Sequence, residues 1–202
     1  MTSSKLSILA TAALLCSVAV QAAPLHNTTG LSGAFATENF DTNAGTGTLA
    51  ASQFAGVTFS PEDYVNNSYN GAFPHIVKSA ITNFEPDFCP CRSPTSMTFS
   101  SVLSEAAFAF VSNSQGMTFA AYLGGTLIES DFYTTNGSGD FYGFTGITFD
   151  KIVITGDGSS NNAYVLDMLQ TKAGAAPEPG MLALLGLAGL GAIGAARRRR
   201  AA

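Results

Sequence analysis

Cys89-Pro90-Cys91 is the most specific chemical signature in the middle of the chain. A thiol pair at this spacing offers three chemistries. In an oxidising compartment it closes as a disulfide, here a local clip in the proline-rich stretch 85–95 (EPDFCPCRSPT). A ring that small is usually strained and easily reduced, which also suits an intermolecular bridge or a redox site. A soft metal is the third reading. Tetrahedral zinc would need two further ligands, and His75 is the one nearby candidate.

Carboxylates carry the next chemistry. Asp167 stands in an otherwise apolar segment, 163–171 (AYVLDMLQT), while Glu38 and Asp41 lie in an early segment, ENFD. Many exported sandwiches bring their first and last strands together. Buried carboxylates at such a junction need a cation or hydrogen-bond donors. Glu38, Asp41 and Asp167 are therefore candidate ligands of a structural calcium; the alternative is an Asp167 that faces solvent or a turn amide. In GDGSSNN (156–162), Asp157, Ser159 and Asn161 alternate as in a calcium loop. Asn162 and Met168 stand where an EF-hand needs glycine and glutamate, so the stretch reads as a hairpin turn.

Glu62-Asp63, and Glu85 with Asp87, are acid pairs of the kind glycoside hydrolysis sets across a cleft. The chain has two histidines, His26 and His75, and no G-x-S-x-G, H-E-x-x-H or phosphate loop. A catalytic role is not expected. Exposed aromatics can stack on sugar faces, and Phe132-Tyr133, Phe141-Tyr142, Tyr64 and Tyr69 are the candidates. The alternative places them in the core, since aromatics favour strands.

Between positions 23 and 176 there are 13 acidic and 4 basic side chains, a net charge of −9 against −5 for the whole chain. That surface repels nucleic acid and anionic lipid, so nucleic acid is excluded as a partner. A body of this length is one domain. It is rich in Phe, Tyr, Gly, Ser, Thr and Asn and has no Trp. Such a mix favours short strands joined by tight turns.

Strand-like segments recur between turn signals. Residues 52–60 (SQFAGVTFS), 96–101, 106–112, 117–123, 126–129, 131–135, 147–155 and 163–171 read as strands. Gly124-Gly125 reads as a hairpin turn. Ile147, Phe149 and Val153 are expected on one face. Stretch 75–84 is either a strand pair or a helix turn, and 24–37 is a lead-in without period. The spacing predicts an all-β, antiparallel sandwich over 23–176.

The ends differ from the body. Lys5 precedes an apolar run over 6–20, and Val20-Gln21-Ala22 presents small residues for a signal peptidase. Residues 1–22 are therefore a secretory signal peptide, cleaved after Ala22. At the other end, 180–196 carries no charge and is Gly- and Ala-rich. As a helix it spans about 25 Å, short of the ~30 Å hydrocarbon core. Arg197, Arg198, Arg199 and Arg200 follow and orient it with the body outside.

Pro177-Glu178-Pro179, a short apolar helix and the terminal Arg197–Arg200 cluster, together with the N-terminal signal, resemble the PEP-CTERM sorting signal over 177–202. The resemblance implies an exosortase-type membrane protease as partner. It would act on a chain held in the membrane through the transient 180–196 helix. It also implies a Gram-negative cell envelope, with release to the cell surface or extracellular matrix. The closing pattern TGITFDKIVIT…NNAYVLDMLQT and the opening ENFDT…SQFAGVTFS are similar to the sandwich bodies of these exported proteins. That likeness implies a jelly-roll or lectin-like fold. The functional expectation is a non-enzymatic surface or biofilm-matrix protein whose body binds extracellular polysaccharide. Two alternatives are a secreted glycan-active hydrolase using loop carboxylates, and a self-assembling envelope protein.

Overall fold

The computed structural model describes residues 23–41, 47–49, 53–60, 63–66, 69, 71–84, 91, 93–113, 116–135, 137–157 and 162–174. The expected signal peptide, 1–22, and the expected sorting segment, 177–202, with the helix expected over 180–196, lie outside the described residues. Among the described residues there is no α-helix, and none long and apolar enough to cross a membrane.

Twelve strands follow in order: β1 (Ala23–Asn27), β2 (Ala36–Glu38), β3 (Gly47–Thr48), β4 (Val57–Phe59), β5 (Tyr64–Asn66), β6 (Ala80–Thr82), β7 (Thr95–Ser112), β8 (Met117–Leu123), β9 (Thr126–Tyr133), β10 (Phe141–Thr145), β11 (Phe149–Gly156) and β12 (Tyr164–Ala173). Every pairing is antiparallel. The strand β7 organises them. Its first half lies between β4 and β11, and β11 continues through β8 to β9. Its second half lies between β10 and β12. Beyond β10 lies β1; beyond β12 lie β2 and the β6–β5–β3 run. The hydrogen-bonded sheet thus folds over on β7 into two layers, the antiparallel β-sandwich that the strand spacing predicts.

Aromatic rings lock the layers together. Phe110 of β7 meets Phe119 of β8 with ring centroids 5.1 Å apart, and Tyr142 of β10 stacks on Phe119 at 5.5 Å. Phe108, Phe110, Phe119, Tyr142, Phe144 and Phe149 are fully buried in this inner core. Burying such side chains is the main favourable term for the fold. The outer face of the β10–β7–β12 layer has its own smaller cluster: Leu31, Ile76, Ala107, Ala109, Val111, Phe141 and Val165. The segment around Leu31 and the 71–79 loop cover it.

Several expectations are corrected. Segments 96–101 and 106–112 are one 18-residue strand, not two. Residues 102–105 join them within the strand; Leu103 is buried in the core, and the exposed positions beside it are 100–102. Segments 126–129 and 131–135 likewise merge into β9. Val153 leaves the face shared by Ile147 and Phe149. A register shift between Phe149 and Lys151 changes the phase, so that Ile152 and Ile154 point into the core. The lead-in supplies β1, which pairs with β10. Within 75–84, only Ala80–Thr82 is strand, and loop precedes it.

Candidate functional site: an aromatic pocket and the carboxyl that ties down its loop

At one end of the outer face, where β7 finishes and β12 begins, a cavity of about 150 Å³ opens among Tyr69, Phe73, Phe84, Val111, Asn113 and Val165. Beside the buried Tyr164, three further aromatics shape it. Tyr69 stacks on Phe73 at 6.2 Å and 28°, and meets Phe84 edge-on at 6.2 Å and 88°. All three are half-buried. Burial raises the Tyr69 phenol above its usual pKa. Ser112 and Asn113 add polar groups to the lining, and no charged side chain among the described residues lines the cavity. An apolar aromatic wall with a few polar groups is the usual composition of a small-molecule site.

The loop that carries Phe73 is built by its own backbone. Ala72 N donates to Tyr69 O (2.8 Å), Gly71 N to Ile76 O (3.1 Å) and Ile76 N to Phe73 O (3.2 Å). Three tethers fix it to the sandwich. His75 Nδ1 lies 3.0 Å from Gly139 O. Gly139 has φ +68°, and a Cβ there would collide with the Pro74 carbonyl, so this approach requires glycine. Ser79 N donates to Asp41 Oδ1 at 3.1 Å. Val77 N donates to Asp167 Oδ2 at 2.7 Å.

Asp167 is fully buried. It sits where β12 bulges away from β7, between Asp167 and Gln170, and its Oδ1 accepts the Met168 N–H at 2.6 Å. Burial, with Asp41 and Glu38 nearby, pushes its pKa from 3.8 up to about 7; the bonds from Val77 and Met168 oppose that rise. Among the described residues, four non-glycine residues have left-handed φ: Phe40 (56°), His75 (63°), Lys78 (55°) and Met168 (51°). All four adjoin this node. Each such conformation costs about 1–3 kcal/mol and persists only where surrounding contacts impose it, as at binding sites.

The candidate calcium ligands therefore share one neighbourhood. β2 pairs with β12 and sets Glu38 opposite Leu169. Backbone donors serve the carboxylates: Phe40 N donates to Glu38 Oε1 (2.9 Å), Ser79 N to Asp41, and Val77 and Met168 N to Asp167. Among the described residues, no group of three or more His, Cys, Asp or Glu is set to hold a metal ion. Of the alternatives, the turn amide matches what Asp167 meets.

The remaining candidates scatter. Cys91 is disulfide-bonded, and Cys89 lies outside the described residues. So do Glu62, Glu85, Asp87, Ser159 and Asn161; Asp63 is buried. A second cavity of about 180 Å³, between β2 and β4, contains Glu38 as its one charged lining residue. Among the described residues, neither cavity is lined by two carboxylates. Phe141 and Tyr142 are buried in the sandwich, and burial pushes the Tyr142 phenol up to about 12. Tyr133 packs on Tyr142 at 5.2 Å; Phe132 is 59% exposed on β9, away from the pocket. The Tyr64 side chain lies outside the description. Tyr69 is thus the sequence candidate that reaches a cavity. Phe73 and Phe84, its partners, escaped the sequence reading. Their signal was the same as that of Tyr69, an aromatic within a polar, proline-bearing stretch.

Comparison with known proteins adds the following. The PEP-CTERM protein-sorting motif matches residues 175–200. The chain therefore carries that motif, the mark of an exported protein anchored to the membrane until an exosortase, a membrane protease, processes it. No curated protein matches. Among solved structures, one described as "X-ray structure of GH31 CBM32-2 bound to GalNAc" aligns with 58% of this chain and 97% of its own at 15% identity, with a TM-score of 0.36. So distant an overlap carries nothing about ligand or chemistry.

Proposed function

We propose that this protein is a non-catalytic carbohydrate-binding module of the Gram-negative cell surface or exopolysaccharide matrix, delivered there by its sorting tail. The observation that carries the reading is the uncharged aromatic pocket of Tyr69, Phe73 and Phe84. Sugars present an apolar C–H face to an aromatic ring and hydroxyls to polar groups, which Ser112 and Asn113 add to the lining. The acidic body disfavours polyanionic glycans, so neutral polysaccharide is the expected class.

The test is a glycan array probed with the exported protein. Saturable binding to neutral glycans, left intact afterwards, is expected. Hydrolysis of an array glycan, or no binding to any neutral glycan, contradicts the proposal. Intact mass of the surface form tests delivery: a mass lacking Arg197–Arg200 is expected, and one retaining them rejects processing at the motif.

A further inference from the structure

We infer that the second cavity, between β2 and β4, is a separate binding site for a small organic ammonium ion, whose alkyl body rests on the apolar floor while its ammonium meets Glu38. The site shares no lining residue with the Tyr69 pocket and does not rest on the sugar-binding role proposed above.

The strand register shows why a cavity forms there. β2 pairs with β12, setting Ala36 opposite Thr171 and Glu38 opposite Leu169. Leu169 belongs to the inner core, so these four side chains share the inner face of one layer. In the other layer β4 pairs with β7 and sets Val57 opposite Phe99. By strand alternation Phe99, Ser101 and Leu103 share the inner face there. Elsewhere between the layers, aromatic rings fill the gap. At this end the facing positions include Ala36, Ser101 and Thr171, which are too short to meet across it. The result is the cavity of about 180 Å³. Val57, Phe99, Leu103 and Leu169, all buried, make its floor. Ala36, Ala55, Gly56 and Ser101, all exposed, make its mouth.

Glu38 sets the chemistry. It is half-buried, and its Oε1 accepts the Phe40 N–H at 2.9 Å. That bond fixes the carboxylate and leaves Oε2 as the acceptor for a ligand. Among the described residues no Lys, Arg or His pairs with Glu38, and no basic side chain lines the cavity. A single carboxylate beside an apolar floor suits a cation with an apolar body. Calcium fits poorly, since it takes roughly six to eight oxygen ligands and the floor offers none. A guanidinium binds best through both carboxylate oxygens, one of which Phe40 holds. An ammonium needs one, and Ser101 and Thr171 add hydroxyls for its remaining N–H groups. The net charge of −9 over 23–176 draws such cations to the surface. The volume is below the ~300 Å³ of drug-sized sites, so the ligand is small, about one ring.

The test uses cyclohexylammonium chloride as the probe and cyclohexanol as its neutral counterpart. Each is titrated into the exported protein, and the backbone amide resonances of Ala36, Gly56 and Ser101 are followed. The ammonium is expected to shift them saturably, with a Kd on the order of 1 mM. Cyclohexanol is expected to bind at least about tenfold more weakly, because it lacks the charge-assisted bond to Glu38. Glu38→Gln, which keeps an acceptor for the Phe40 N–H, is expected to bring the ammonium down to the affinity of cyclohexanol. Ala36→Phe, which fills the mouth, is expected to weaken both probes at least about tenfold. No saturable shift at the mouth, equal affinity for the two probes, or wild-type affinity in Glu38→Gln each overturns the site. If Glu38→Gln does not fold, the two probes on the wild type and on Ala36→Phe decide. If the ammonium binds here while no glycan binds on the array, this site stands and the sugar-binding role falls.

Discussion

The two faces of the second half of β7 are built from side chains of opposite size. Phe108 and Phe110 point inward; Ala107, Ala109 and Val111 point outward. The same division runs through β10 and β12. Tyr142, Phe144 and Leu166 enter the inner core, while Phe141 and Val165 face out. The inner face is filled by rings from the opposing layer. The outer face, paved with small residues, leaves room for a loop to settle on it, and that loop brings the aromatics of the pocket. The stabilising rings lie on one side of these strands and the pocket proposed to bind lies on the other. Mutations on the two sides should separate accordingly.

The largest effect belongs inside. Phe110→Ala removes a fully buried ring and should cost about 3–5 kcal/mol in unfolding free energy by chemical denaturation. A loss under about 1 kcal/mol would show that the inner face is not the stabilising one.

Next comes Asp167, the polar exception on the outer face. Its folded pKa is raised, so its stabilising contribution is complete below about pH 4 and is lost as pH rises through about 7. The fall amounts to at most about 4 kcal/mol. Asp167→Asn should flatten that part of the stability–pH curve and make the protein more stable than wild type at mildly alkaline pH. A wild-type stability that rises between pH 4 and about 7, once other groups are subtracted, has the wrong sign.

Tyr69→Ala is the outer-face counterpart of Phe110→Ala. It should weaken glycan binding by about 30-fold, the ~2 kcal/mol expected of an aromatic anchor, with little change in unfolding. The smallest effect lies on the rim. Lys172 Nζ meets Glu105 Oε2 at 2.9 Å with both side chains partly exposed, and Lys172→Ala should cost about 0.5 kcal/mol with no effect on binding.

The inner face was the more legible in sequence. Alternation and turn signals such as Gly124-Gly125, which joins β8 to β9, identify an antiparallel sandwich. The misreadings came where tertiary structure overrides the local signal. The two halves of β7 read as separate strands because Ser104 and Glu105 interrupt the apolar pattern, yet the strand runs unbroken through them. β1, of sequence APLHN, has no alternation to detect and exists because β10 offers it an edge. Val153 was misplaced because a bulge changes strand phase without marking the sequence.

The outer site was legible only in fragments. An aspartate in an apolar strand identified Asp167 as unusual, and its closeness to Glu38 and Asp41 followed from pairing the early segment with the last. Its partner did not. Val77 contributes a backbone N–H from 90 positions away, and every residue but proline has that group. Tyr69 stood out, whereas the meeting of Phe73 and Phe84 with it depends on a loop conformation set by tethers to Gly139, Asp41 and Asp167.

The central claim is that the outer face binds sugar through its aromatics while the inner face holds the fold. Calorimetric titration of the best glycan from the array into wild type and into Tyr69→Ala/Phe73→Ala, with thermal unfolding of both, tests it most directly. Binding is expected in the wild type and absent in the double variant, with the thermal transition still cooperative. Equal affinity in the two proteins would contradict the claim and move any binding site elsewhere on the sandwich.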